Sequence, residues 1–174
     1  VYKRQALHAA DPTMTVIAAA LAPTIETGPD NISELVFLND MYIFGAGPVM
    51  DAAAGKPYGF DFPPDDRRNH DRLLNFSRFA QMREVMIVHG DSSKPLWGSQ
   101  WGWNSLPDDW SGLPSIWGSV SAEEQISYTL GAIERAETEW PWIGVLILHH
   151  WTPPYPLDFP QQGFALTTTG GLPT

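Results

Sequence analysis

Apolar residues are laid out along this chain in two ways. Some form short unbroken runs. Others recur every three or four positions over a longer stretch, as the buried stripe of an amphipathic helix does. Residues 1–10 read as a helix, ended by Asp11-Pro12. "MTVIAAALAPT" (14–24) is a continuous apolar run of strand length, closed by proline. In "NISELVFLNDMYIFGAG" (31–47), Leu35, Leu38, Met41 and Tyr42 have helical spacing, and Gly45 and Gly47 supply a stop. "VMDAAAGKPYGF" (49–60) is a second strand candidate, weakened by its alanines. "LLNFSRFAQMREVMIVHG" (73–90) carries Leu74, Phe76, Phe79, Met82, Val85 and Met86 on a helical period and closes on Gly90. "KPLWGSQ" (94–100) is a third strand. "SAEEQISYTLGAIERAETEW" (121–140) is a helix with Ser121 as N-cap and Glu124 completing a capping box. "WIGVLILHHW" (142–151) is the clearest strand.

The predicted order is helix, strand-helix three times, then a strand. Nearly all-apolar strands alternating with amphipathic helices imply a parallel sheet with helices outside it. Two closures fit this α/β pattern. One is a small doubly wound parallel sheet. The other is the second half, strands five to eight, of a (β/α)8 barrel, a fold that typically needs about 250 residues. The loops favour the barrel. Those following the strands, at 22–30, 59–71, 101–120 and 151–163, are long and rich in Trp, Pro and Asp, and those preceding them are short. No glycine-rich phosphate loop follows any strand, which counts against a nucleotide-binding sheet.

Composition narrows the function. The chain has 174 residues and a formal net charge of −10, which argues against nucleic acid and anionic membrane as partners. It has no cysteine, so neither disulfides nor thiolate metal sites arise. No apolar run reaches the roughly 18 residues of a membrane span. Its opening, "VYKRQALHAADP", looks like the tail of a helix already under way, so residues 1–174 are expected to be a piece of a longer protein. Eight tryptophans are present, and five of them, Trp97, Trp101, Trp103, Trp110 and Trp117, crowd into a Gly/Pro-rich segment. Flat aromatic faces with polar N–H handles suit the apolar faces of sugar rings, which predicts a tryptophan-lined cleft.

Three segments carry a resemblance: "LNFSRFAQMREVMIVHGDSSKPLWGSQWGWNSLPDDW", "TEWPWIGVLILHHWTPP" and "QQGFAL". Together they look like the later half of retaining glycoside hydrolases of the large (β/α)8 clan, which includes cellulases, β-mannanases and β-xylosidases. The resemblance implies a retaining β-glycosidase of oligosaccharides or polysaccharides, outside the cell or at its surface. In that clan a glutamate ending the fourth strand is the acid/base and another ending the seventh is the nucleophile. The two carboxyl groups stand about 5–5.5 Å apart, one protonating the leaving oxygen while the other attacks the anomeric carbon. The seventh-strand motif runs Glu, any residue, Gly; here it reads Gln100-Trp101-Gly102. The fourth strand, with its Asn-Glu pair, would precede Val1, in an N-terminal half-barrel on the same or a separate chain.

An amide is a poor nucleophile and brings no charge to an oxocarbenium ion, so the protein is expected to be inactive as written. Four origins for Gln100 stay open: an engineered substitution, natural loss of the nucleophile, a glutamate misassigned as its isosteric amide, or an ordinary loop glutamine. The alternative to a glycosidase-like protein acting on or binding β-linked sugars is a non-catalytic carbohydrate-binding or structural pseudoenzyme.

Strand parity extends the site. Successive side chains alternate faces. With Gln100 toward the barrel axis, Gly98 and Leu96 are expected there too, and Trp97 and Ser99 toward the helices. Lys56 and Tyr58 share parity. The resemblance implies a histidine near the first position and a tyrosine near the second that hydrogen-bonds the nucleophile, so Lys56 is a second departure. A lysine at a strand end reaches solvent or, buried, serves as a Schiff-base amine. His149 and Trp151 share parity, and either is a counterpart of the clan's sugar-stacking tryptophan. Trp101 and Trp103 complete the expected binding residues. His150 should oppose His149, which with no spaced third ligand argues against a metal site, and no cofactor is called for. The charged stretch 61–71 lacks EF-hand spacing and reads as a solvated loop, and Asp108 and Asp109 as exposed loop carboxylates.

Overall fold

A computed structural model describes residues 2–152 and 154–167. Four α-helices are present: α1 (Tyr2–Ala10), α2 (Glu34–Ile43), α3 (Arg78–Val88) and α4 (Ala122–Glu139). The sheet holds β1 (Ala53–Gly55), β2 (Leu96–Trp101) and β3 (Ile143–Leu148), in that order and all parallel. The run at 14–24 lies beside β1 but forms only isolated parallel bridges, Ile17 to Ala52 and Leu21 to Gly55. Four steps there, from Ile17 to Leu21, meet three on its neighbour, from Ala52 to Gly55, so the ladder cannot run without interruption. The backbone still pairs, with the Ala18 N–H on the Ala52 carbonyl (2.9 Å) and the Leu21 N–H on the Ala54 carbonyl (3.1 Å).

Neighbours in space are therefore neighbours in sequence. A doubly wound sheet needs a point where strand order reverses, and none occurs among the described residues. That alternative is set aside. Right-handed crossovers between successive parallel strands place their helices on one face of the sheet, and the main core fills that layer. Leu38 and Tyr42 of α2, Phe79, Met82 and Met86 of α3, and Ala132 and Ala136 of α4 pack against Leu96, Trp101 and Ala53 of the strands.

Local signals explain the helix ends. Ser121 accepts from the Glu124 N–H (3.1 Å), and the Glu124 carboxylate accepts from the Ser121 N–H (2.9 Å), closing the expected capping box. The α3 stretch begins five residues later than its periodicity suggests. Asn75 takes the residues before it into a turn: its Oδ1 accepts from the Arg78 N–H (3.0 Å) while its Nδ2 donates to Asp66 and to the Arg68 carbonyl. Pro57 and Gly59 stop β1 early. A last bridge pairs Tyr58 with Gly102 at the mouth of the sheet.

Alternation fails along β2. Its register against β3 shifts between Leu96 and Gly98, and again between Gly98 and Trp101. From Gly98 to Trp101 three steps on β2 meet two on β3, from Leu146 to Leu148, so one β2 residue is extra. Gln100 and Leu96 therefore do not share a face. Leu96 is fully buried in the helix layer, and Trp97, expected to face the helices, lies on the other side with its indole against Gly144. A methyl group at Gly144 would come within 2.4 Å of that ring, so the position requires glycine.

Candidate functional site

A cleft of about 990 Å³ opens at the C-terminal ends of the strands. Lys56 and Tyr58 reach it from the end of β1, Gln100 from β2, and His149 from just past β3. Four of the seven residues expected from the sequence thus come together. The Tyr58 hydroxyl donates to Gln100 Oε1 at 3.0 Å. Burial pushes the Tyr58 phenol up to about 12, with Tyr155 adding to the effect, so it stays protonated and acts as a donor. Phe60, Phe164, Trp117 and Leu74 pack around Tyr58 and hold its ring.

His149 is buried, and its ring meets Tyr58 and Phe164 edge-on. Burial lowers its pKa to about 4, with the charges of His150 and Lys56 acting in the same direction. At neutral pH it is an uncharged imidazole. Contrary to the expected opposition, the His149 and His150 rings stack at 3.7 Å. β3 ends at Leu148, so strand alternation no longer governs the pair, which is joined by a cis peptide bond. Among the described residues no cluster of three His, Cys, Asp or Glu side chains could hold a metal ion.

The tryptophans divide differently from the expectation. Trp101 is 2% exposed and Trp103 1%, and both belong to the helix-side core rather than the cleft. Trp101 follows Gln100 on the strand, so alternation turns it away from the cleft, toward Phe76 and Trp103. Trp103 covers Gly59 and donates its indole N–H to the Phe62 carbonyl (2.7 Å). Trp151 is 63% exposed and stands outside the cleft. Of the five crowded tryptophans, Trp117 alone lines it. Trp117 and Tyr155 come from long loops, where aromatic character was their only sequence signal.

A buried ion pair that sequence reading missed lies beside the cleft, which its Glu34 member lines. Glu34, at the start of α2, meets Arg78, at the start of α3, and both are almost wholly buried. Glu34 Oε2 further accepts from the Thr24 N–H (3.1 Å). Arg78 donates to the carbonyls of Asp71 (2.8 Å), Leu73 (3.2 Å) and Thr24 (3.1 Å), and to Ser33 Oγ (3.1 Å). This network ties the loop after the first strand to the loop before α3. The charged stretch 61–71 is similarly structured: Asp66 binds Arg68 and Asn75, and Arg67 pairs with Glu139.

No protein-family model matches the chain, and no curated protein matches it in sequence. Solved structures do resemble it. A glucosidase from Croceicoccus marinus superposes with a TM-score of 0.62 at 16% identity, over 97% of this chain and 31% of that one. A weaker likeness, with a TM-score of 0.36 and 20% identity, links 60% of the chain to 29% of a GH113 β-1,4-mannanase. The chain thus spans about a third of the length of the glucosidase it overlays. At this identity the likeness speaks for the fold, a parallel α/β arrangement consistent with part of a barrel.

Proposed function

We propose that this chain supplies the later half of a glycoside hydrolase-like barrel, and that its cleft binds β-linked sugars without hydrolysing them. The observation that carries the reading is the 3.0 Å hydrogen bond from Tyr58 to Gln100. It joins the ends of adjacent parallel strands inside a cleft, where a glycosidase of this resemblance would orient its nucleophile. The overlay on a glucosidase adds support through the fold. Gln100 can form no glycosyl ester, and its neutral amide does not offset positive charge developing at the anomeric carbon. The carboxylates lining the cleft do not replace it: Glu34 is committed to Arg78, and Glu26 and Asp30 are exposed at the rim.

The half-barrel reading also rests on what the sheet leaves open. β3 is an edge strand with Ile147 half exposed. On α4, Ile126, Leu130 and Ile133 form a stripe exposed by 45%, 62% and 38%. Unpaired strand edges and contiguous apolar faces call for a covering layer, which the remaining strands and helices of a barrel would provide.

The test is Gln100→Glu in the full-length protein. Hydrolysis of aryl β-glycosides is measured together with mass-spectrometric mapping of a 2-fluoro sugar label. The parent should be inactive and unlabelled, and the Gln100→Glu variant should gain turnover and carry the label at position 100. A variant that stays inactive and unlabelled, despite an upstream acid/base glutamate, would overturn the assignment of this site.

A further inference from the structure

Beside the cleft, Arg78 is neutralised by Glu34. Lys56 is not neutralised. It is half-buried, lines the cleft, and has no carboxylate within 4.0 Å among the described residues. Among those residues Lys3 and Arg72 also lack ion pairs, but both are exposed, and Arg83 spends its charge on the carbonyls of Ser92 and Lys94. Lys56 is therefore the one partly buried cation whose charged group meets no acceptor.

The carboxylates that line the cleft, Glu26, Asp30 and Glu34, make no ion pair with Lys56. Gln100 Oε1 is occupied by the Tyr58 hydroxyl, which leaves the Nε2 protons as the free end of the amide. His149, uncharged at neutral pH, lines the same cleft and brings no negative charge to Lys56. A glutamate at position 100 would bring a negative charge into the cleft that Lys56 lines, whereas glutamine brings a further donor. A partly desolvated ammonium without a partner is costly, and an anionic ligand group would offset that cost.

Resting on the sugar-binding reading above, we propose that the cleft selects β-linked sugars carrying a carboxylate, that is, uronic acids. The carboxylate would lie between Lys56 Nζ and Gln100 Nε2, with Trp117 and Tyr155 beside the ring. The two departures at positions 56 and 100 then form one adaptation: together they exchange a site that repels an acidic sugar for one that holds it. Hydrogen bonds to charged groups are the stronger class, so one such contact should change affinity by about tenfold or more.

The experiment uses the full-length protein and a matched pair of ligands: a β-linked glucuronate-containing oligosaccharide and the same oligosaccharide with its carboxyl reduced to the alcohol. Calorimetry should show the uronate bound about tenfold or more tighter. Added salt should weaken uronate binding and leave the neutral partner unchanged. Lys56→Met should abolish the preference while retaining neutral binding, and Lys56→Arg should keep it. The salt comparison on the parent needs no variant to fold. Equal affinity for the two ligands, or preference for the neutral one, overturns the uronate proposal and leaves the sugar-binding reading standing. Binding of neither overturns both. Equal binding of a sulfated neutral oligosaccharide would show a generic anion site and overturn the assignment to carboxylate.

Discussion

Two aromatic clusters, drawn from interleaved stretches of the chain, do opposite work. The larger lies between sheet and helices, where Phe76, Trp101, Trp103 and Trp140 interlock with the faces of α3 and α4. The smaller lies at the strand ends, where Tyr58, Phe60 and Phe164 meet Trp117 and Leu74 beside the cleft. In the first, indoles are sealed from water and filled against by glycines and methionines. In the second, Tyr58, Phe60 and Trp117 border an open space together with Lys56, Gln100 and His149. Aromatic residues near one another in a chain thus need not share a task. Strand alternation sends the Trp101 indole into the helix-side core while the neighbouring Gln100 amide faces the cleft.

The harshest way to break this contrast is Trp103→Ala. Trp103 is buried to 1%, and its ring fills the space above Gly59, where even a methyl group would meet it at 1.8 Å. Removing it leaves a large cavity and orphans the Phe62 carbonyl. The expected loss is about 3–5 kcal/mol, the range for large-to-small core substitutions, read as a lowered urea midpoint. A loss below 1 kcal/mol would contradict its place in the core.

A milder test uses pH. In an unfolded chain a histidine takes up its proton near pH 6.5, but folded His149 does so only near 4. Between these values unfolding binds a proton, so stability is complete above about pH 6.5 and falls as pH falls toward 4. The gap bounds the loss at about 3 kcal/mol. His150 is lowered in the same direction by burial and adds to the slope. Asp51 and Glu139, each held near 2 chiefly by arginine hydrogen bonds, lose their stabilisation as pH falls from their ordinary values of 3.8 and 4.5 toward 2, mostly below this window. Denaturation at pH 4.5 and 7 should show the parent weakened at the lower value and His149→Asn weakened less. Equal slopes would place the histidine in water.

The same contrast explains what the sequence could disclose. Helices α1, α2 and α4 were legible because a period of three to four residues and a capping box are local. The strand ends were legible too, which is why Lys56, Tyr58, Gln100 and His149 were found together. Leu96 and Trp97 were placed on the wrong faces because their direction depends on the β2–β3 register, a property of two segments some 45 residues apart, whereas alternation with Gln100 already turns Trp101 away from the cleft. The Glu34–Arg78 pair, separated by 44 positions, leaves no trace in either segment alone. The first strand looked continuous as an apolar run, yet its pairing with β1 is broken by a mismatch of one residue.

The smallest expected effect sharpens the comparison most. Sequence parity nominated Trp151 as the sugar platform, but Trp151 is 63% exposed and outside the cleft, whereas Trp117 lines it. Trp117 rests on Phe164 edge-to-face at 5.4 Å and on Tyr58 at 5.8 Å, so its ring is already oriented before a ligand arrives. A pre-oriented ring loses little conformational freedom on binding, and burying one large apolar face contributes roughly 1–3 kcal/mol. Trp117→Ala should therefore weaken binding of a β-linked oligosaccharide by about that amount, with a smaller effect on folding than Trp103→Ala. Trp151→Ala should change affinity by less than about 0.5 kcal/mol, as surface substitutions commonly do. Calorimetry on the full-length protein separates the cases. A reversed result, with Trp151 mattering and Trp117 silent, would mean that the loop following β3 closes over the ligand and that the binding surface extends beyond the cleft described here.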